Sequence, residues 1–115
     1  DKALRIARKF LTFNELTAVE LLTDDQPSLT TELHSLLWSA KETLYKLAGQ
    51  RGLIFRQNLL LDLPAPPTLP AAWPSAGELP ARLVLAARSS RHRICYFQPA
   101  AGYVLTYCSA SFSLT

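Results

Sequence analysis

Leu29-Thr30-Thr31-Glu32-Leu33-His34-Ser35-Leu36-Leu37-Trp38-Ser39-Ala40-Lys41-Glu42-Thr43-Leu44-Tyr45-Lys46-Leu47-Ala48 is the stretch whose reading decides the fold. Leu33, Leu36, Leu37, Ala40, Leu44, Leu47 and Ala48 recur at helical spacing and form one apolar stripe. Gly49 follows at the position where a helix stop belongs. The spacing predicts an α-helix from about Leu29 to Ala48 with that stripe turned to a core.

The back of this helix is unusual. Each residue advances about 100° around the axis. With the leucine stripe at zero, Trp38 and Tyr45 fall on the far side with Glu42 between them. Lys46 lies just beyond Glu42, and Lys41 lies on the flank. A solvated helix back is polar throughout. Either a second surface packs on this face, or the face lines a site.

Working outward, Leu4, Ile6, Ala7, Phe10 and Leu11 suit a short amphipathic helix over 1–10. Thr12-Phe13-Asn14-Glu15 reads as a capping box, with Leu16, Val19 and Leu22 of the next helix facing inward. Asp24, Asp25 and Pro27 mark a loop over 23–28. After Gly52 the pattern changes, and Leu53-Ile54-Phe55 and Leu59 to Leu63 read as strands. Pro64 to Pro80 holds six of the eight prolines and reads as a long loop or extended connector. Arg82–Ala87, Arg93–Phe97 and Tyr103–Cys108 read as three further strands, joined by turns at Ser89-Ser90 and Pro99-Ala100-Ala101-Gly102. Helices over 1–49 followed by strands over 53–63 and 82–110 predict an α+β domain, an antiparallel sheet with helices packed on one face.

Composition narrows the function. A chain of 115 residues with 49% hydrophobic residues makes one small domain with a core. The net charge of +3 is spread along the chain rather than gathered on one segment, which argues against a nucleic-acid partner. Cys95 and Cys108 sit in apolar, strand-like surroundings and read as buried reduced thiols, and no Cys/His spacing suggests zinc. No apolar run is long enough to span a membrane, and no signal peptide is visible, so the cytoplasm is the simplest compartment. Asp1 in place of Met suggests a chain excised from a longer one.

The helix back offers a chemistry. Glu42 is a hard oxygen ligand of the kind Mg²⁺ takes, and Mg²⁺ is usually shared among carboxylates, water and phosphate oxygens. Lys46, one turn on, suits the same phosphate as a point charge. Together they make half of a Mg²⁺–pyrophosphate site. The structural alternative is an exposed i,i+4 ion pair beside two aromatic residues that touch a neighbouring element.

Trp38-Ser39-Ala40-Lys41-Glu42-Thr43-Leu44-Tyr45-Lys46 resembles the W-x-x-K-E-x-x-x-K signature of 4′-phosphopantetheinyl transferases, matching at Trp38, Lys41, Glu42 and Lys46. Leu4-Arg5-Ile6-Ala7-Arg8-Lys9-Phe10-Leu11 resembles the segment leading into that family's first helices, and Gly102 to Cys108 resembles its closing strand. The resemblance implies the second half of a surfactin-synthetase-associated pseudo-dimer. It implies transfer of the phosphopantetheine arm of coenzyme A to a serine of an acyl or peptidyl carrier protein, with Mg²⁺ on the pyrophosphate. Glu42 would be a metal ligand and candidate base, Lys46 and Lys41 would bind coenzyme A, with orientation of the site as the alternative role of Lys41, and Trp38 would support packing. The family's Gly-x-Asp-x-Glu motif is absent, so the chain alone is expected to bind coenzyme A poorly and to catalyse little.

Two rival readings accompany this one: a non-catalytic α+β interaction domain, and a homodimer formed through the Trp38/Tyr45 face. Arg91-His92-Arg93 reads as a solvated turn and His34 as a satisfied structural histidine. Ser109, Ser111 and Ser113 have no His/Asp arrangement suited to nucleophilic catalysis.

Overall fold

The helix expected over 29–48 is present and starts at Pro27; it is α3 (Pro27–Ala48). Proline at a first helical position is no obstacle, because first-turn N–H groups lack intrahelical acceptors anyway. The expected loop over 23–28 is corrected accordingly at its last two residues, and at Thr23, which ends the preceding helix. Leu33, Leu36, Leu37, Ala40 and Leu44 are no more than 1% exposed, whereas Leu47, at the fraying end of the stripe, is 46% exposed. Gly49 follows with φ +66°, the left-handed conformation that ends helices.

The computed structural model of the chain describes residues 6–23, 27–63, 76–86, 88–98 and 104–108. Two helices precede α3: α1 (Ala7–Phe10) and α2 (Phe13–Thr23). The capping box forms as expected, with Thr12 N–H donating to Glu15 Oε1 at 2.8 Å and Glu15 N–H donating to Thr12 Oγ1 at 3.0 Å. Residues 24–26 lie outside the described residues.

A one-turn helix, α4 (Phe55–Asn58), stands where Leu53–Phe55 was expected as strand. Asn58 explains the difference. Its Oδ1 accepts from Ile54 N–H at 2.8 Å, while Gln57 and Asn58 N–H both return to the Ile54 carbonyl. That side-chain clasp closes a turn that apolar character alone does not reveal.

Four strands follow: β1 (Leu59–Leu61), β2 (Ala76–Val84), β3 (Ser89–Phe97) and β4 (Leu105–Cys108). They form one antiparallel sheet in the order β1-β2-β3-β4. Leu59, Leu61, Leu79, Ala81, Leu83, Ile94 and Tyr96 face inward and are buried beneath α3, which contacts β1, β3 and β4. The α+β architecture expected from the sequence is therefore present.

Several boundaries differ: β1 ends at Leu61 rather than Leu63, and Val104, expected as strand, precedes β4. Residues 76–80, expected within the proline-rich loop, are strand; 64–75 lie outside the described residues. Pro80 fits because its carbonyl accepts from Asp62 N–H at 2.9 Å, just past the end of β1. Its nitrogen points the same way, towards the β1 side, so the missing donor leaves the ladder to β3 intact. β2 ends at Val84, short of the expected end at residue 87, which lies outside the described residues; Leu85 N–H donates to the Arg88 carbonyl at 2.8 Å, and Ser89 and Ser90, expected as a turn, belong to β3, paired with Val84 and Leu83. The expected turn at 99–102 and residue 103 lie outside the described residues. Across β2 and β3, a Cβ at Gly77 would come within 3.0 Å of Tyr96 Oη, so glycine leaves room for the buried tyrosine.

Candidate functional site

The sheet and the first helices sort the residues of Trp38–Lys46 into three environments. Lys41 is fully buried. Its ammonium donates to the Phe10 carbonyl at 2.7 Å, to Glu15 Oε1 at 2.7 Å and to the Phe55 carbonyl at 3.2 Å. An ammonium has three N–H donors, so none is left for a phosphate. Lys41, expected to contact coenzyme A, therefore uses its donors inside the fold. Burial pushes the Lys41 pKa down, and the neighbouring Glu15 carboxylate opposes that shift only in part.

Glu15 is the counterpart. It is 4% exposed, and its carboxylate accepts from Thr12 N–H, from Lys41 and, through Oε2, from Leu61 N–H at 2.8 Å. The pair satisfies backbone groups at the end of α1, the start of α4 and the end of β1, where regular hydrogen bonding stops.

Trp38 and Tyr45 are half-buried in an aromatic cluster. Phe10 meets Trp38 edge-on, with ring centroids 5.1 Å apart at 76°, and Phe55 lies 5.4 Å from both Trp38 and Tyr45. A second surface therefore packs on much of the helix back, and it comes from the chain itself. Phe10 and Phe55 thus cover part of the face through which a homodimer was expected.

Glu42 and Lys46 remain. Glu42 is half-buried and Lys46 exposed. Among the described residues neither makes an ion pair or a hydrogen bond, and the i,i+4 pair is not formed. No group of three or more His, Cys, Asp or Glu side chains gathers around Glu42 or elsewhere among the described residues. One carboxylate does not make a Mg²⁺ site, so the donor set of the described residues does not by itself fit the ion.

The other flank of α3 carries hydroxyls. Ser39 Oγ and Thr43 Oγ1 each lie 2.7 Å from Thr106 Oγ1, which donates to the Ser39 carbonyl at 3.1 Å. This cluster ties α3 to β4, the last described strand of the sheet.

Of the lesser candidates, Arg91-His92-Arg93, expected as a solvated turn, lies inside β3, where pairing with Arg82, Ala81 and Pro80 of β2 extends the strand; Arg91 and Arg93 are exposed. His34 is 5% exposed and its Nδ1 lies 2.8 Å from the Thr30 carbonyl, so Nδ1 carries the proton and the ring is a structural one. His92 is half-buried on β3, beside Ser90 Oγ at 2.7 Å, and burial lowers its pKa. Cys95 and Cys108 are thiols outside any disulfide, half-buried rather than buried, and burial raises both pKa values. A groove of about 280 Å³, lined by Thr12, Asn14, Leu60, Asp62 and Arg82 among others, does not include Glu42 or Lys46. No helix among the described residues is long and apolar enough to cross a membrane.

Sequence reasoning found Glu15 only as a cap and missed it as the partner of Lys41, 26 positions away. It also missed Phe55 as the cover of Trp38 and Tyr45, because a three-residue apolar run reads equally as strand. Comparison of the chain with protein-family models, with curated proteins and with solved structures gave no match.

Proposed function

We propose that this chain carries one wall of a site that transfers 4′-phosphopantetheine from coenzyme A to a serine of an acyl or peptidyl carrier protein. The observation that supports this reading most is the sorting of charge along Trp38–Lys46. Lys41 is withdrawn into the fold, while Glu42 and Lys46, one turn apart, face outward without partners among the described residues. An outward carboxylate and ammonium at this spacing suit a hydroxyl nucleophile and a phosphate.

In this reaction the carrier serine Oγ bonds to the β-phosphorus of coenzyme A. The bond from that phosphorus to the bridging oxygen breaks, and 3′,5′-adenosine bisphosphate leaves. Glu42 takes the serine proton. Lys46 offsets charge on the phosphate oxygens. Glu42 would also be one ligand of a magnesium ion, whose charge would offset that of the pyrophosphate. The other ligands have to come from outside the described residues.

The test is the mass of a carrier protein after incubation of the full-length protein with coenzyme A and Mg²⁺. A gain of one phosphopantetheine that is lost in Glu42→Ala supports the proposal. No gain from a folded protein overturns it. That outcome would favour a non-catalytic interaction domain, for which Phe97, Leu105 and Tyr107, exposed together at one end of the outer sheet face, offer a surface.

A further inference from the structure

Apolar burial alone does not fix how far α3 is turned about its own axis. The hydrophobic term scales with area removed from water and has no direction. The leucine stripe would tolerate a modest rotation that carried Glu42 and Lys46 round with it. Hydrogen bonds tolerate far less, because they weaken steeply with angle and distance.

Directional contacts grip α3 on two flanks. On one, Thr106 binds Ser39 and Thr43. On the other, Lys41 is held by Glu15, by Phe10 and by Phe55. Glu15 is itself held by Thr12 and by Leu61. Lys41 immediately precedes Glu42, so any rotation that misplaces Glu42 must also break the Lys41 contacts.

We infer that Glu15 is a positioning residue: through Lys41 it sets the rotation of α3 and so the placement of Glu42 and Lys46. This rests on the reading of Glu42 and Lys46 as the site. Three N–H donors converge on the Glu15 carboxylate. Glutamine at this position offers a single oxygen and turns an NH₂ donor towards one of those donors, so it does not replace the carboxylate. Thr12 acts one step further out. Thr12→Val removes the hydroxyl that accepts from Glu15 N–H, and Thr12→Ser keeps it.

The experiment uses the full-length protein with Glu15→Gln, Thr12→Val and Thr12→Ser. Transfer kinetics are measured together with backbone amide NMR shifts over residues 38–46. The expected result for Glu15→Gln and Thr12→Val is a kcat lowered about tenfold, in keeping with the steep dependence on placement, with KM for coenzyme A unchanged. Amide shifts along 38–46 should accompany the loss, and Thr12→Ser should restore both. If Glu15→Gln fails to fold, Thr12→Val against Thr12→Ser decides. Folded variants with unmoved 38–46 amides overturn the inference, and so does an unchanged kcat where transfer is measurable. If the wild-type protein is folded but transfers nothing, the proposed function fails, and the amide shifts alone then decide whether Glu15 sets the helix.

Discussion

Lys41 Nζ and Glu15 Oε1 stand 2.7 Å apart, with side chains 0% and 4% exposed. The two residues come from different helices, and the residue that follows Lys41 is the candidate base. A buried pair with every donor used is costly to break on one side, because the remaining charge is left without a partner. Lys41→Met should therefore destabilise the domain by about 3–5 kcal/mol. Urea denaturation against wild type measures this, and a loss below about 1 kcal/mol would mean the pair contributes little.

The depressed Lys41 pKa fixes the sign of a pH effect. Between the lowered folded value and the ordinary lysine value of about 10.4, the unfolded chain binds more protons than the folded one. Stability from this group is fully present above the unfolded value and is lost as pH falls through the folded value. The stability difference between wild type and Lys41→Met should thus shift in favour of wild type as pH rises through the alkaline range. Paired denaturation curves at several pH values read the slope, and a slope of the opposite sign would refute the assignment.

Glu42→Ala should leave stability within about 0.5 kcal/mol, as expected of a substitution that removes no partner. Its effect belongs to function: carrier-protein modification should disappear while the unfolding midpoint hardly moves. A large stability loss would show that Glu42 supports the fold instead.

Phe55→Ala should release both Trp38 and Tyr45, since one ring covers the two. A half-buried aromatic contact of this kind is expected to cost about 2–3 kcal/mol, below the range for fully buried aromatic rings. A red shift of tryptophan fluorescence should accompany it. Concentration-dependent association of Phe55→Ala, absent in wild type, would show that the uncovered face can pair with a second copy.

Thr106→Val should loosen β4 from α3, because the hydroxyl that meets Ser39 and Thr43 is removed. Leaving part-buried hydroxyls unsatisfied costs about 1–3 kcal/mol. Faster amide exchange in β4 than in β2 should report it.

The sequence by itself determined the elements whose causes are local. The leucine stripe specified α3 and its buried face, Gly49 its end, and Thr12 with Glu15 the start of α2. Alternating apolar residues specified most of the sheet, and helices followed by strands specified the α+β class. Boundaries failed where a neighbour decides them. Pro80 is tolerated in a strand because β1 has ended beside it, and Phe55 enters a helical turn because Asn58 closes it. At the candidate site the sequence put Glu42 and Lys46 on the helix back and Lys41 on its flank, and gave all three to one ligand. Only the tertiary structure separated them. Burial and three acceptors from distant segments claim Lys41, while Glu42 and Lys46 are left facing outward. Periodicity gives a residue's angle on its helix; what stands opposite that angle depends on contacts between segments far apart in the chain.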